Sequence, residues 1–430
     1  MLEKRTPIPV DEAVRRVCHF QKQGETEWVA LEDSLHRFLA EDITADHHVP
    51  AFDRSPYDGF AVRACDTAEA SRENPVRFEV IDHIGAGAVS EKELGPFQAV
   101  RIMTGAQIPE GADAVVMIEL TQAFEENGKS FMSLKRRFQT GDNISKTGED
   151  AQKGSVLLTK GTRVTPGVTA LLATFGYASV PVVRKPVVGI IATGTELLNV
   201  SDPLEPGKIR NSNASMVYAQ AIEAGATPLY LGKISDELDK SFAAVKEAMK
   251  KVDFLITTGG VSVGDFDFLP AIYEKLGADV LFNKVAMRPG SVTTVAHAND
   301  MLLFGLSGNP SACYVGFELF VKPIIQTWLL NETPHSICAE AVLTKDFPKP
   351  NPFTRFVRAL VHHQEGKLLA TPVGLDKSSS VTSLADANAF IILPGGTRGY
   401  ESGRTVQVLL IREENGSEWP WSVLSRSSKL

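Results

Sequence analysis

Residues 254–267 read FLITTGGVSVGDFD, and this stretch is the strongest indication of the fold of the chain. Its apolar first part, residues 254–258, predicts a buried strand, because a short apolar run bounded by glycines is typical of one. The glycines that follow predict a tight turn, and residues 268–276 predict a helix after it. A strand, a glycine turn and a helix in this order indicate the start of an α/β unit.

The turn in this stretch has the residues of an anion-binding site. Gly259, Gly260 and Gly264 allow backbone conformations and close approaches that a Cβ would prevent. Successive N–H groups beside a helix N-terminus attract an anion, and Asp265 and Asp267 would be favourable there if a divalent cation lies between. Asp267 is also a good helix cap, and one carboxylate can serve both purposes. The sequence therefore predicts a ligand site at this turn, with helix capping as the structural alternative.

Strands and helices alternate on both sides of this stretch. The predicted strands are 187–192, 228–234 and 254–258, and the predicted helices between them are 213–224 and 236–250. Such alternation predicts a mainly parallel sheet with right-handed crossovers and helices on both faces. We therefore predict a three-layer α/β domain over residues 181–330.

Three strand ends in this domain carry the same glycine-rich signature. Residues 190–196 read IIATGTE, residues 254–267 are the second case, and residues 303–311 read LFGLSGNPS before an apolar helix at 311–330. Ligands of parallel sheets bind at the carboxyl ends of the strands, so three such ends would build one crevice for an extended ligand. The residues predicted to line it are Gly194, Thr195, Glu196, Gly259, Gly260, Ser262, Gly264, Ser307, Gly308, Asn309 and Pro310.

Two further groups of polar residues belong to this domain. Asp236 follows the strand 228–234 at the same end of the sheet, where it would serve the crevice or cap the next helix, with Ser235 as a rival cap. Lys284 and Arg288 lie four residues apart and would face phosphate groups or, as the alternative, belong to the solvated surface. The residues alone leave both alternatives open.

The remaining segments predict smaller domains. Residues 9–43 have helical spacing, residues 58–145 are glycine-rich with short β-like runs, and residues 146–180 return to loop and helix. After a proline-rich stretch at 348–352, three β-like runs predict a final β domain. The two predicted helical faces in the first segment are Val10, Ala13, Val14 and Val17, and then Leu31, Leu35, Phe38 and Leu39.

Together these segments predict a multidomain chain of the α/β plus β class. The segment 146–180 would pack back on the N-terminal helices, which makes the first domain discontinuous and the β domain an insertion. The predicted domains are an N-terminal helical and extended domain at 1–45 with 146–180, an inserted β domain at 46–145, the α/β domain at 181–330, a C-terminal β domain at 336–413 and a tail at 414–430.

Composition excludes several classes of function. The chain has 430 residues and a formal net charge of -8, which argues against broad binding to nucleic acid or to an anionic membrane. The four cysteines lack C-x-x-C spacing and predict free thiols in a reducing compartment. No apolar run reaches about 18 residues and the first residues lack the apolar core of a signal peptide, so we expect a cytoplasmic protein.

Several short motifs follow one another in a recognisable order. They are SPYDGFAV at 55–62, RIMTGA at 101–106, PEGADAVV at 109–116, TGED at 147–150, TGTEL at 193–197, GGVSVG at 259–264 and GNP at 308–310. With these motifs the chain closely resembles the molybdopterin molybdenumtransferase family, which includes the bacterial MoeA proteins and the C-terminal domain of gephyrin. The resemblance covers nearly the whole sequence.

The resemblance implies a concrete reaction. Members of the family take adenylylated molybdopterin, exchange its AMP for molybdate and release molybdenum cofactor. They are elongated homodimers with four domains per subunit, and each active cleft lies between the α/β domain of one subunit and the β domain of the other. Mg²⁺ is the implied metal, and molybdopterin adenylyltransferase and acceptor molybdoenzymes are the implied partners.

The resemblance also implies catalytic roles. Asp58 and Thr104 would face the cleft from the β domain of one subunit. Glu196, Asp236 and Asp267 would face it from the α/β domain of the other and hold Mg²⁺ against the pyrophosphate. Such an arrangement would help a phosphoryl leaving group electrostatically.

Anion contacts are implied at further positions. Lys284, Arg288 and the glycine-turn amides would hold phosphate groups. Many relatives have lysine where this chain has Ser291, proline where it has Ser307 and lysine where it has Arg288. Positions near the molybdate contacts of relatives, with a role on the β surface as the alternative, are Arg355, Arg358, Ser378 and Ser379.

The predicted function is that of a molybdenum insertase acting on adenylylated molybdopterin. One alternative is a molybdopterin adenylyltransferase, which uses the same α/β domain with ATP. The other is a non-catalytic molybdopterin-binding scaffold. The β domain with Asp58 and Thr104 disfavours the first alternative, and the retained acidic residues disfavour the second.

Overall fold

The computed structural model of the protein describes residues 6–234, 237–260 and 269–412. Over these residues the chain forms two compact units. The first is drawn from Met1–Ala40, Gly161–Pro166 and Ser179–Leu430, and the second from Glu41–Lys160 and Gly167–Ala178. The finer domain bounds predicted from the sequence stay a prediction. Helices and strands are numbered along the chain.

The first unit begins with a short amphipathic helix, α1, at Val10–Cys18. Acidic residues occupy its first turn and basic residues its last, as the helix dipole favours, and its predicted helical spacing is confirmed. The second predicted helical stretch is wrong. Strand β1 (Thr26–Ala30) pairs antiparallel with strand β10 (Ser179–Val183), and a single 3-10 turn follows at Leu31–Asp33. Phe38 and Leu39 form isolated bridges with Arg163 and Val182, so pairing with distant residues outweighs the apolar spacing.

The second unit contains a six-stranded sheet. Its strands are β3 (Gly59–Val62), β4 (Val76–Ile84), β5 (Gln98–Ile102), β6 (Ala114–Met117), β7 (Thr121–Glu126) and β8 (Lys129–Leu134). They lie in the order β6–β3–β5–β4–β8–β7, and only β4 and β5 pair in parallel. Strand β2 (Ile43–Thr44) pairs separately with β9 (Val156–Leu158), and helix α2 spans Pro166–Thr174. The predicted inserted β domain is confirmed.

A second six-stranded sheet forms the centre of the first unit. Its strands are β11 (Val187–Thr193), β14 (Thr227–Ile234), β15 (Phe254–Thr258), β16 (Asp279–Phe282), β18 (Thr294–Ala298) and β19 (Met301–Leu306). They lie in the order β14–β11–β15–β19–β18–β16. The first four are parallel, and β18 pairs antiparallel with both of its neighbours, so the predicted mainly parallel sheet is confirmed. Two short strands outside this sheet, β12 (Leu197–Leu198) and β13 (Ile209–Arg210), pair with each other.

Helices cover both faces of this sheet. They are α3 (Ser212–Glu223), α4 (Leu238–Met249), α5 (Leu269–Lys275), α6 (Pro310–Gly316) and α7 (Lys322–Trp328). Ile190 packs in one core with residues of α3, α6 and α7, whereas Ile191 packs in another with residues of α4 and α5. Neighbouring residues of a strand point to opposite faces, so both faces of the sheet are buried and the domain has three layers.

The apolar helix predicted at 311–330 is interrupted. Helix α6 ends at Gly316, a π-helical turn covers Phe317–Val321, and α7 continues from Lys322. Pro323 lies in the first turn of α7 and has no N–H to donate to the preceding turn, which accounts for the change of winding. In the described ranges, no helix combines the length and the apolar character needed to cross a membrane.

The last domain of the first unit is a small closed β barrel. Its strands are β20 (Cys338–Leu343), β21 (Thr354–Gln364), β22 (Lys367–Pro372), β23 (Ala389–Leu393) and β24 (Thr405–Leu410), with helix α8 at Thr382–Asp386. The order β21–β22–β20–β24–β23 closes because β23 pairs with β21. Strand β17 (Met287–Arg288) also pairs with β21 and brings the preceding α/β segment to the barrel. The predicted C-terminal β domain is confirmed.

Replacing Ile190 by Ala should lower the free energy of unfolding by about 2–5 kcal/mol, because it removes a fully buried side chain from the central sheet. Ile337→Ala is the matched control, since Ile337 is 69% exposed. The control should change stability by less than about 0.5 kcal/mol. Urea unfolding followed by circular dichroism would measure both variants, and equal losses would contradict the assignment of the core.

Candidate functional site

The glycine turns of three neighbouring strands meet at one edge of the central sheet. Strands β11, β15 and β19 lie side by side in the same direction, so their carboxyl ends are adjacent. The turns that follow them line a cavity of about 1060 Å³. The predicted residues in its wall are Gly194, Thr195, Glu196, Gly259, Gly260, Ser307, Gly308, Asn309 and Pro310. The structure thus brings together residues from three distant parts of the chain.

Glu196 lies over the first of these turns. Gly194 has a φ of +134°, and a Cβ on this residue would come within 2.5 Å of Glu196 Oε2. Glycine therefore leaves the room that the carboxylate occupies. Lys208 Nζ donates a hydrogen bond to Thr195 O at 2.5 Å and so holds the same segment. Glu196 itself is exposed, which leaves its carboxylate available to a ligand or a cation.

The second turn packs tightly against the first. Gly259 has a φ of +90°, and a Cβ there would come within 2.8 Å of both Thr193 O and Thr193 Oγ1. Thr193 Oγ1 donates in turn to Thr258 O at 3.2 Å. Since backbone atoms cannot move aside as a side chain can, glycine is required at residue 259 for β11 and β15 to end so close together.

The start of helix α3 contributes residues that the sequence did not predict. They are Arg210, Asn211, Ser212 and Asn213, which line the same cavity. Asn211 caps the helix by accepting a hydrogen bond from Ala214 N at 3.1 Å, and Asn213 Nδ2 donates to Gly308 O at 2.9 Å. Asn213 Oδ1 is buried without a partner in the described part of the chain, so it is a free acceptor. A run of polar residues directly before a helix is a capping signal that could have found them.

A second cavity, of about 450 Å³, is strongly basic. The charged residues in its wall are Arg288, Lys349, Arg355, Arg358, Asp376 and Lys377. Five cations against one carboxylate make the cavity favourable for an anion. Of the predicted anion contacts, this wall contains Arg288, Arg355, Arg358 and Ser378. Ser379 lies in the wall of the large cavity, and Lys284 is in the wall of neither.

The cations of this basic cavity are held in place by the barrel. Asp376 accepts hydrogen bonds from Lys349 Nζ at 3.0 Å and from Arg355. Arg358 is only 2% exposed, and burial lowers the pKa of its guanidinium below the usual range. Its NH2 group donates to the carbonyl oxygens of Leu375 and Lys377. Lys349, Asp376 and Lys377 were not predicted from the sequence, because a loop between strands carries no spacing signal.

In the second unit, Asp58 and Thr104 form a hydrogen-bonded pair. Thr104 N donates to Asp58 Oδ1 at 2.7 Å, and Thr104 Oγ1 donates to the same oxygen at 2.8 Å. The backbone N–H of Thr104, with its hydroxyl second, holds the pKa of Asp58 below the usual range. Asp58 is exposed, so a charged carboxylate is presented at the start of strand β3.

Part of the predicted metal site lies outside the described residues. The predicted positions concerned are Asp236, Ser262, Gly264 and Asp267. Among the residues whose positions are described, no three His, Cys, Asp or Glu side chains form a group that could hold a metal ion. Of the three predicted Mg²⁺ ligands, Glu196 is the one whose position the structure describes.

Three family models match the chain in succession. They are the MoeA N-terminal region, domains I and II, at residues 8–176, a probable molybdopterin binding domain at 189–327 and the MoeA C-terminal region, domain IV, at 340–411. The second match covers the α/β domain with the large cavity, and the third covers the barrel.

Individual proteins match over almost the full length. Molybdopterin molybdenumtransferase of Staphylococcus aureus strain Mu50 is 52% identical over 97% of this chain and 99% of that protein. The protein of the same name from Staphylococcus epidermidis strain RP62A is 51% identical over the same shares. A crystal structure of the molybdopterin biosynthesis MoeA protein from Pyrococcus horikoshii has a TM-score of 0.79 and 30% identity, over 94% of this chain and 100% of that one.

Thr104→Val should raise the pKa of Asp58, because the variant loses the hydroxyl donor to the carboxylate and keeps the backbone N–H. The carboxyl should then take up its proton at a higher pH than in the unmodified protein. Carbon-13 NMR titration of the side-chain carboxyl would measure the change.

Thr147→Val is the matched control, since Thr147 Oγ1 donates to Asp53 at 3.0 Å within the same unit. It should raise the pKa of Asp53 and leave that of Asp58 unchanged. An unchanged Asp58 pKa in Thr104→Val would contradict the pairing.

Proposed function

Because the chain belongs to the molybdopterin molybdenumtransferase family, we propose that it exchanges the AMP of adenylylated molybdopterin for molybdate and so produces molybdenum cofactor. The protein is then a transferase of molybdenum cofactor biosynthesis. Relatives of this name match it over almost their whole length, which supports insertion rather than the adenylyltransferase step.

The observation that carries this function is the junction of a large cavity with a small basic one. Both cavities have Val292, Ser307 and Asn309 in their walls. The larger has the volume that suits an extended substrate, with polar side chains beside apolar surface in its wall, and ligand pockets typically span about 300–1,000 Å³. The smaller would hold a compact oxyanion next to it. Two anionic substrates that react with each other need such adjacent sites.

The residues of the large cavity would bind the adenylylated substrate. Turn amides at Gly194 and Gly260 suit phosphate oxygens, whereas Gly259 N already donates to Leu306 O at 2.9 Å. When the phosphoanhydride bond breaks, an oxygen of water or of molybdate would form the new bond to the pterin phosphate, and AMP would leave with the electron pair of the broken bond. Donors already aimed at the phosphates would stabilise the charge that develops on the leaving group.

Acidic residues of the α/β domain would bind the metal ion. Glu196 suits Mg²⁺ because its carboxylate lies in the cavity wall and is exposed, as an oxygen ligand of a hard cation must be. Asp236 and Asp267 are the other proposed ligands and lie outside the described residues. Bound Mg²⁺ would supply charge neutralisation at the phosphate oxygens. Asp58 and Thr104 are proposed to act from the partner subunit.

The basic cavity would bind molybdate. Arg288, Arg355 and Arg358 supply positive charge, and Ser378 lies in the same wall. Burial of Arg355 and Arg358 strengthens their attraction for an anion, since the charge is little screened by water. Lys284 is kept as a proposed phosphate contact from the resemblance, without support from either cavity.

We also propose a homodimer whose clefts are shared between subunits. Apolar side chains are exposed on helix α3 and on the neighbouring edge strand β14, and they would be covered by a second copy of the chain. They are Tyr218, Ile222, Leu229 and Tyr230, each between 37% and 55% exposed.

A cytoplasmic location and transient partners complete the proposal. The four cysteines are all free, as expected in a reducing compartment.

The adenylyltransferase of the preceding step and acceptor molybdoenzymes are the proposed partners, because the substrate must be supplied and the product consumed.

AMP release from adenylylated molybdopterin and Mg²⁺, under anaerobic conditions, should depend on added molybdate. Glu196→Ala should lower this release at least about tenfold, because a carboxylate proposed to hold Mg²⁺ at the phosphate oxygens is lost. ATP consumption without molybdate would instead support an adenylyltransferase, and tight binding without release would support a scaffold. Glu332→Ala, on the loop after α7, is a control that should leave release unchanged.

Mixing Asp58→Ala and Glu196→Ala subunits should restore activity that neither variant has alone. If each cleft takes Asp58 from one subunit and Glu196 from the other, a mixed dimer has one cleft with both residues intact. Anaerobic AMP release after unfolding and refolding the mixture would measure the recovery. An absence of recovery in dimers shown to be mixed by mass spectrometry would contradict the shared cleft.

A further inference from the structure

Ser307 lies in the wall that the two cavities of the first unit share. It follows directly after strand β19, whose last residue is Leu306. Val292 and Asn309 are the other shared residues. Among the described residues that line both cavities, Val292 is apolar, whereas Ser307 and Asn309 carry side-chain hydrogen-bonding groups.

The hydroxyl group of Ser307 has an unused proton. Ser307 is only 5% exposed, and its Oγ accepts a hydrogen bond from Asn309 N at 3.3 Å. In the described ranges this hydroxyl donates to no other group. A buried donor without an acceptor is unfavourable, so the acceptor of this proton is expected inside one of the cavities.

Cations in the wall of the basic cavity already donate hydrogen bonds to oxygen atoms of the protein. Lys349 and Arg355 share Asp376, and Arg358 donates to carbonyl groups of the barrel loop. These cations make the cavity positive, but several of their N–H groups are directed at the protein. A neutral hydroxyl with a free proton adds a directional contact that charge alone does not supply.

We propose that Ser307 donates a hydrogen bond to an oxygen of the tetrahedral oxyanion in the basic cavity. The contact fixes the anion at the boundary that faces the large cavity. The identity of the anion as molybdate rests on the proposed function, whereas the free donor does not. No covalent bond forms or breaks at Ser307, which binds and orients the anion.

Ser307→Ala should weaken the binding of molybdate to the full-length protein about tenfold, since a hydrogen bond to a charged group is lost. Ser307→Thr keeps the hydroxyl and should bind molybdate within about twofold of the unmodified protein. Equilibrium dialysis with molybdate alone, and with tungstate alone as a second tetrahedral anion, would measure both. Ser307→Cys keeps the side-chain size with a weak donor and replaces the alanine variant if that one does not fold.

Steady-state kinetics distinguish a contact between Ser307 and the anion from a merely structural role of this residue. In Ser307→Ala the KM for molybdate should rise about tenfold with little change in the KM for adenylylated molybdopterin. Ser241→Ala is the matched control, because Ser241 in α4 is also buried, at 2% exposure, and is in the wall of neither cavity. Thermal unfolding of all variants would show that the fold is retained.

Unchanged molybdate binding in a folded Ser307→Ala protein would overturn the inference, as would equal weakening in Ser307→Thr or Ser241→Ala. If the unmodified protein shows no molybdate-dependent AMP release while Ser307→Ala still binds molybdate more weakly, the proposed function fails and the role of Ser307 stands. If the unmodified protein shows molybdate-dependent AMP release and Ser307→Ala binds molybdate normally, the proposed function stands and the role of Ser307 fails.

Discussion

The parallel pairing of β11 with β15, and of β15 with β19, places the site. Parallel strands end at the same edge of a sheet, so three segments far apart in the chain each deliver a turn to one place. Glycine makes the close approach possible. At residue 259 a Cβ would collide with the backbone of Thr193, and at residue 194 it would collide with the carboxylate of Glu196. The turn at residue 259 could not pack in this way with a larger residue, whereas at residue 194 the exposed carboxylate would have to move.

The protein concentrates positive charge where an anion is to bind, although its formal net charge is -8. The barrel does this by holding Arg355 and Arg358 in a largely buried wall, with Asp376 and loop carbonyl groups as partners. Its loop is attached to helix α6 by two bonds, from Ser311 N to Ser378 O at 3.0 Å and from Ser311 Oγ to Ser380 O at 2.8 Å. The same loop therefore contributes to both cavities, and the barrel is part of the binding surface of the α/β domain.

Fold class was predictable because periodicity is a local property. The alternation from residue 187 onward, the glycine turns and the C-terminal β runs all correspond to described elements. The two errors have causes that the local pattern does not show. Apolar spacing at residues 31–39 resembles that of a helix, but Phe38 and Leu39 pair with Arg163 and Val182, more than a hundred residues away. Pro323 changed the winding of a helix that the apolar run had predicted to be continuous.

The amino-acid sequence was sufficient to predict the three glycine turns, Glu196 and the parallel sheet, because each is recognised from residue types at short spacing. It was not sufficient to predict that Asn211 and Asn213 line the large cavity, or that Lys349 and Asp376 line the basic one. Their positions depend on which strand end lies beside which loop. Ser307 was predicted to line the crevice, but the junction of the two cavities at this residue was not. Its free donor exists only because folding buries it between two walls drawn from different domains.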